Sequence, residues 1–413
     1  MFSRLRMLWV RVRDSLWFIP TVLTLLAAAL AIWLVQLEQA MDTTKFQENW
    51  LIAVSLDGAR EILSTIAGSI ITVTGVVFSV TIVALQLSSS QFTPRVLRNF
   101  MADQSNQMVL GVFIATFTYT LLVLRVVRST GENEEFVPQI AVSVAILFSL
   151  VSIGFLIHFI HHAARSIQAA VVLVKVTTSA LEHVKRLFPE EIGKPEGTLP
   201  EEEHLPSNAA RIVTVEKEGY LEAVDDSSLF RLGEEQHLLI RMLRPVGAFM
   251  IQGEPLAEVW ANEPLGDETQ KQIRDAFVIG EQRTPEQDLE FFLLELSDMA
   301  VKALSPSIND PTTAKHCIDR LTQILRAVGS RRPPAPLRTK EGKVHFIAQT
   351  NSFETSVELA FGDILRHGRD NDSIVKKLLG AIDLLESLLP TERHEALQNF
   401  RAKAKVWSKS ETG

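Results

Sequence analysis

Four stretches of about 20 residues with almost no charge lie within the first 165 positions, and a helix of that length crosses a hydrocarbon core ~30 Å thick. They are Trp17–Leu37, Ile62–Leu87, Met108–Val127 and Val137–Ile160. The first two carry no charge, the third only Arg125 near its end, and the fourth only His158 as a titratable group. A soluble core can hide one such helix. Four in succession call for a solvent that offers no hydrogen bonds, where the backbone must satisfy itself as helix. The expected fold class is therefore an α-helical membrane protein with four transmembrane helices in residues 1–165.

Charge separates this part from the rest. Residues 1–165 hold 11 Lys/Arg and 10 Asp/Glu, so residues 166–413 hold the remaining 30 and 39, a balance of −9. Nucleic acid is a poor partner for such a surface, because phosphates require a basic face. Arg4, Arg6, Arg11 and Arg13 precede the first span, whose apolar run is too long for a cleaved signal and reads as an anchor. Basic residues recur at Arg95 and Arg98 and again at Arg165, Lys175, Lys185 and Arg186, whereas loop 38–60 and hairpin 128–136 are dominated by acids. By the positive-inside rule both termini and residues 166–413 are expected on the cytoplasmic side of the membrane. Arg125 and Arg128 run against the pattern. Trp17, Trp33 and Trp50 suit the membrane interfaces.

The second span carries a seam. Thr65, Gly68, Thr72, Gly75, Ser79 and Gln86 recur at alternating steps of three and four, with Ile82 filling the missing step, so they share one helix face. Small residues let membrane helices approach closely, which makes a packed interface the structural explanation. The functional one is that copies of this face surround an oligomer's axis, where hydroxyls partly replace the hydration of a small ion. Pro94 can end the helix, and Arg95 and Arg98 then stand at its cytoplasmic mouth, lining it or anchoring to headgroups.

At the end of the fourth span His158, His161 and His162 fall at i, i+3 and i+4 on one helical side. Paired histidines at this spacing can bind a transition metal, but no carboxylate or thiol adjoins them in sequence, and a polar collar explains them as well. Without Gly or Pro between Ala163 and Leu187, the span is expected to run on as one helix, Pro138–Leu187, about 75 Å long.

Pro189–Asn208 is rich in Pro and Glu and reads as a linker, closing a segment of helix extension at 166–209. From 210 to 262 the apolar pattern turns to period two, in Arg211–Glu216, Gly219–Val224, His237–Met242 and Ala248–Gln252, which predicts a small β-rich domain. Its Gly253-Glu-Pro-Leu-Ala-Glu-Val turn is similar to barrel-sandwich modules, without the lysine hairpin such modules modify, so a small β-barrel-like unit is expected. Residues 263–413 are expected to be mainly helical, with one strand at Lys343–Gln349. There Asp310 and Pro311 have the character of an N-cap and first helical residue. Asn309, Asp310 and His316 are the useful groups if this corner faces a ligand or partner.

No phosphate loop, nucleophile elbow or HExxH appears, and the lone cysteine, Cys317, permits no intrachain disulfide. Neither it nor Ser228 has a base partner in sequence. No enzyme activity and no cofactor are expected.

Thr72-Val-Thr-Gly-Val-Val-Phe-Ser-Val-Thr-Ile-Val-Ala-Leu-Gln-Leu, Ser90-Gln-Phe-Thr-Pro-Arg-Val-Leu-Arg-Asn-Phe, Leu110-Gly-Val-Phe-Ile and Ala303-Leu-Ser-Pro-Ser-Ile-Asn-Asp-Pro are long, specific strings. In them the chain resembles the bacterial membrane-protein family catalogued as domain of unknown function 2254. The resemblance implies an inner-membrane protein and no particular activity. Two functions stay open: an oligomeric, channel-like protein gated by its acidic domain, or an anchored sensor or scaffold whose acidic domain binds a partner. The bilayer is the expected surrounding in either case, and a homo-oligomer and a small ion are the partners in the first.

Overall fold

The computed structural model describes residues 12, 15–40, 54–91, 103–129, 135–166, 168–188, 210–332, 337–340, 343–349 and 351–409. It is mostly helical and divides into two compact units, residues 8–168 and the chain from Ala169 onward.

In the N-terminal unit four helices, α1 (Phe18–Ala40), α2 (Leu56–Gln91), α3 (Gln104–Val126) and α4 (Gln139–Ser166), are each long and apolar enough to cross a membrane. Half of the apolar window of α3 is buried, against 22–28% for the other three, so α3 is the central post. It can be central because Gly111 lets α1 come close. A Cβ there would stand 2.7 Å from Leu23 Cδ1 and 3.2 Å from the Pro20 backbone. Two apolar clusters fill the unit, one around Ala31, Leu63, Tyr119, Val123 and Ala145, the other around Ile70, Val77, Phe113 and Phe159. The expected turn between α3 and α4 holds a short antiparallel ribbon, β1 (Arg128–Ser129) with β2 (Glu135–Phe136).

The single helix expected over Pro138–Leu187 is instead two, α4 ending at Ser166 and α5 beginning at Ala169. Composition hides the break, but packing accounts for it. Val172, Leu173, Val176, Thr177, Ala180 and Val184 form an amphipathic stripe that α5 buries within the C-terminal unit.

That unit contains two open sheets, and no closed barrel forms among the described residues. Strands β3 (Arg211–Thr214), β4 (Gly219–Val224), β5 (Leu239–Met242), β6 (Phe249–Met250) and β7 (Pro255–Trp260) lie in the region of period two. The region also holds a helix, α6 (Asp226–Glu235), capped by Asp225 through Ser228 N at 3.2 Å. Strand β8 (Phe277–Gly280) follows α7 (Asp267–Ala276), in sequence that reads as helical, and completes the sheet β6-β4-β8. The expected strand near Lys343–Gln349 is β10 (Lys343–Ile347), with β9 (Leu337–Lys340) beside it. It joins the other sheet, β3-β7-β5-β10-β9, parallel to β5. The β-unit is thus completed by residues from far along the chain.

The remaining helices are α8 (Glu290–Ala303), α9 (Pro311–Gly329), α10 (Phe353–Gly368), α11 (Asp372–Leu388) and α12 (His394–Lys409). Segment 281–290 pins them to the β-strands. The Gln287 amide bonds both Val224 N (2.9 Å) and Val224 O (3.1 Å). Arg283 pairs with buried Asp288 and, at 3.3 Å, with Glu290. Burial, reinforced by the Asp288 charge, holds the Glu290 carboxyl above its ordinary range. Gly247, at φ +91°, passes over this cluster, and a Cβ there would fall 2.6 Å from Arg283 Nε. Glycine is required on both counts.

Candidate functional site

The candidate residues of the second span come together on one face of α2, and that face points away from the protein's own bundle. Thr65, Gly68, Thr72, Gly75, Ser79 and Gln86 are all exposed. A Cβ added at Gly68 or Gly75 would meet nothing within 4 Å. The face that packs against the protomer is Leu63, Ile66, Ile70, Val77, Thr81 and Ala84. With helical residues advancing about 100° each, the two sets lie roughly 170° apart. Exposed apolar residues flank the seam, Ile71 and Phe78 on one side, Val76 and Val83 on the other.

Two of the seam's hydroxyls are locally satisfied as donors. Thr72 Oγ1 donates to Gly68 O and Ser79 Oγ to Gly75 O, each at 2.8 Å, one turn back along the helix. Each of these two oxygens keeps a lone pair, so the face offers acceptors at Thr72 and Ser79. Arg95 and Arg98 lie outside the described residues.

Inside the bundle is a second polar constellation that sequence reasoning missed. Glu38, expected in a loop, belongs to α1 and is 2% exposed. Its Oε1 accepts from Ala141 N at 2.7 Å, so it caps the first turn of α4 across 103 positions of sequence. Tyr119 Oη donates to Ala141 O at 3.0 Å, and the Gln139 amide bonds Val54 N and O at 3.1 and 2.9 Å. A hydroxyl pair, Thr116 and Ser152 at 3.0 Å, ties α3 to α4 further along. The signal for Glu38 was a carboxylate at the edge of an apolar run, where an ionisable group needs a partner.

The histidines of α4 separate. His158 and His161 are exposed, while His162 lies 3.2 Å from Asp103, the N-cap of α3. The carboxylate that the local sequence lacked is supplied by a distant one. His158 stacks on His162 with ring centroids 5.8 Å apart.

In the C-terminal unit Asn309 (φ +45°) and His316 are exposed, and Asp310 caps α9. Its carboxylate is fully committed: Oδ1 accepts from Thr312 N and Thr313 N at 3.1 and 3.0 Å, and Oδ2 from the Thr313 hydroxyl at 2.5 Å. These bonds, Thr313 foremost, with His316 adding a minor attraction, hold its carboxyl below the usual range. Ser228 borders an open hollow of about 340 Å³ between α6 and α7 with Asp225, Arg231, Glu235, Gln272 and Asp275. Cys317 is buried, and desolvation followed by the Asp310 charge pushes its thiol up to about 12.

Four helices long and apolar enough to cross a membrane, one of them the central post α3, define a membrane protein. The chain belongs to the family described as "Predicted membrane protein (DUF2254)", whose model matches residues 13–383. Relatives include "Uncharacterized protein Mb1321c" of Mycobacterium bovis and "Uncharacterized protein Rv1290c" of Mycobacterium tuberculosis strain H37Rv. Each is 31% identical over 347 residues, covering 82% of this chain and 66% of the relative. The chain therefore matches just under two thirds of these relatives' length. No solved structure matches it.

Proposed function

We propose that the protein is an oligomeric, channel-like protein of a bacterial inner membrane, with α2 facing the oligomer's axis and the C-terminal unit regulating it from the cytoplasm. The observation that carries this is the exposure of the whole Thr65–Gln86 seam on the protomer. A helix side turned permanently to lipid has no use for two bare glycines, three hydroxyls and an amide. Gln86 in particular is costly in hydrocarbon without polar company. Self-association removes the face from lipid and lets backbones approach at Gly68 and Gly75. The back-bonded hydroxyls then present oxygen lone pairs toward the axis, suited to water and to a small ion. The cytoplasmic side of both termini and of the C-terminal unit is supported by the basic residues of alternate loops, Arg95, Arg98 and Arg165 among them. An extracytoplasmic signal from a reporter fused at Gly413 contradicts that orientation.

Disulfide crosslinking in membranes tests the self-associating face. Ser79→Cys and Gly75→Cys are expected to give crosslinked dimers on mild oxidation, and Ile71→Cys and Val83→Cys far less. Cys317, buried and protonated, contributes no background. Equal crosslinking around the whole helix, or none at 75 and 79, moves the protein to the other class, an anchored sensor or scaffold.

A further inference from the structure

On α4, Leu147, Val151, Gly154, His158, His161 and Arg165 recur at alternating steps of four and three, so they share one helix face. All six are exposed, on the side away from Ala145, Ser152, Phe159 and Ala163, which α4 buries. The face changes character along its length. Its end carries two imidazoles and a guanidinium, and the stretch before them is apolar. At the change stands Gly154, where an added Cβ would meet nothing within 4 Å, so a bare notch adjoins His158. The His158 ring is held by stacking on His162, with centroids 5.8 Å apart. From His158 back to Leu147 is about 16 Å at 1.5 Å per residue, the depth of one leaflet of a core ~30 Å thick. From this face we infer a seat for one anionic phospholipid, its phosphate on His158, His161 and Arg165 and an acyl chain along Val151 and Leu147.

Charge complementarity selects this occupant. Arg165 alone would serve the C-terminus of α4, but that effect fades within the last turn, so His158 and His161 lie outside it. Ionisable groups turned to a bilayer are costly unless a headgroup meets them, and basic groups at its surface favour anionic lipid. Arg165 supplies a permanent charge and a fork that matches phosphate, and each imidazole adds an N–H donor. α4 itself contains no Asp or Glu to compete. Asp103 approaches it at His162, 3.2 Å away, a residue the seat does not use. A zwitterionic headgroup would bring its own cation against Arg165. The seat uses α4 alone, so it stands or falls separately from the proposal for α2.

Native mass spectrometry of the full-length protein in detergent tests this, with phosphatidylglycerol and phosphatidylcholine of the same acyl chains as probes. Phosphatidylglycerol is expected to bind first and more tightly. Arg165→Gln is expected to weaken its binding about 5-fold, the scale of one basic side chain near an anionic surface, and to leave phosphatidylcholine nearly unchanged. Gly154→Leu fills the notch without touching any charge and is expected to weaken binding too, which a diffuse basic collar would not show. His161→Arg adds a permanent charge and is expected to tighten binding, so the proposal can be judged even if a weakening variant folds poorly. Equal binding of the two lipids by the wild type overturns the seat. So does phosphatidylglycerol binding that neither Arg165→Gln nor Gly154→Leu alters. Inorganic phosphate that competes as well as the lipid makes it a free-anion site instead and overturns the lipid. Gly154→Cys protein that crosslinks to its own copies in membranes gives the face to a second protomer and overturns it likewise.

Discussion

Replacing Gly111 by leucine is expected to destabilise the N-terminal unit by about 3 kcal/mol, the upper end of what overpacking usually costs. The reason is where the new atoms must go. A Cβ alone meets Leu23 Cδ1 at 2.7 Å, which a rotamer change relieves, but also the Pro20 backbone at 3.2 Å, which only a shift of α1 relieves. Moving α1 away from α3 loosens the cluster that includes Ala27, Ala31 and Leu34 against Ala115, Tyr119 and Val123. Thermal unfolding in detergent, followed by size-exclusion peak height, measures the loss. Gly111→Ala should fall between wild type and Gly111→Leu. A leucine variant as stable as wild type contradicts the close approach.

Glu38→Ala is the second change with a large expected effect, about 2–3 kcal/mol. It strips the first turn of α4 of its buried acceptor and leaves Ala141 N–H without a partner in a place water does not reach. Glu38→Gln keeps an acceptor oxygen and loses the charge that complements the helix dipole, so its cost should be clearly smaller. Equal stability of Glu38→Ala and wild type contradicts the capping role. Equal loss in Ala and Gln points to the charge alone.

What the sequence made legible followed from period and composition. Twenty-residue apolar runs leave few alternatives to four spans, and the alternating three–four spacing of Thr65 to Gln86 required a single face. The Asp310–Pro311 cap was legible too, since it is made within a few residues. Features that depend on distant residues were hidden. Glu38 caps a helix that begins at Gln139, Asp103 meets His162, and β10 lies beside β5 across intervening helices. Nothing local encodes such partners. The break between Ser166 and Ala169 escaped because no Gly or Pro marks it. The short α6 was legible in retrospect, as Asp225 caps a turn whose Leu229 and Leu232 face the core. β8 is only four residues long and follows a helix directly, too short for a period to show.

Whether the α2 face borders water is the central question, and Ser79→Cys answers it most directly. Its thiol is small enough to keep the packing, and the only other cysteine, Cys317, is buried with its thiol pushed up to about 12. Modification by a small, charged, water-soluble thiol reagent in liposomes therefore reports on residue 79 alone. A hydrated axis supports the thiolate the reaction needs, whereas lipid or a dry helix seam does not. Rapid modification of the folded oligomer, together with a fall in ion flux, is the result expected of a channel-like protein. A Ser79→Cys protein that assembles normally and stays unmodified contradicts it.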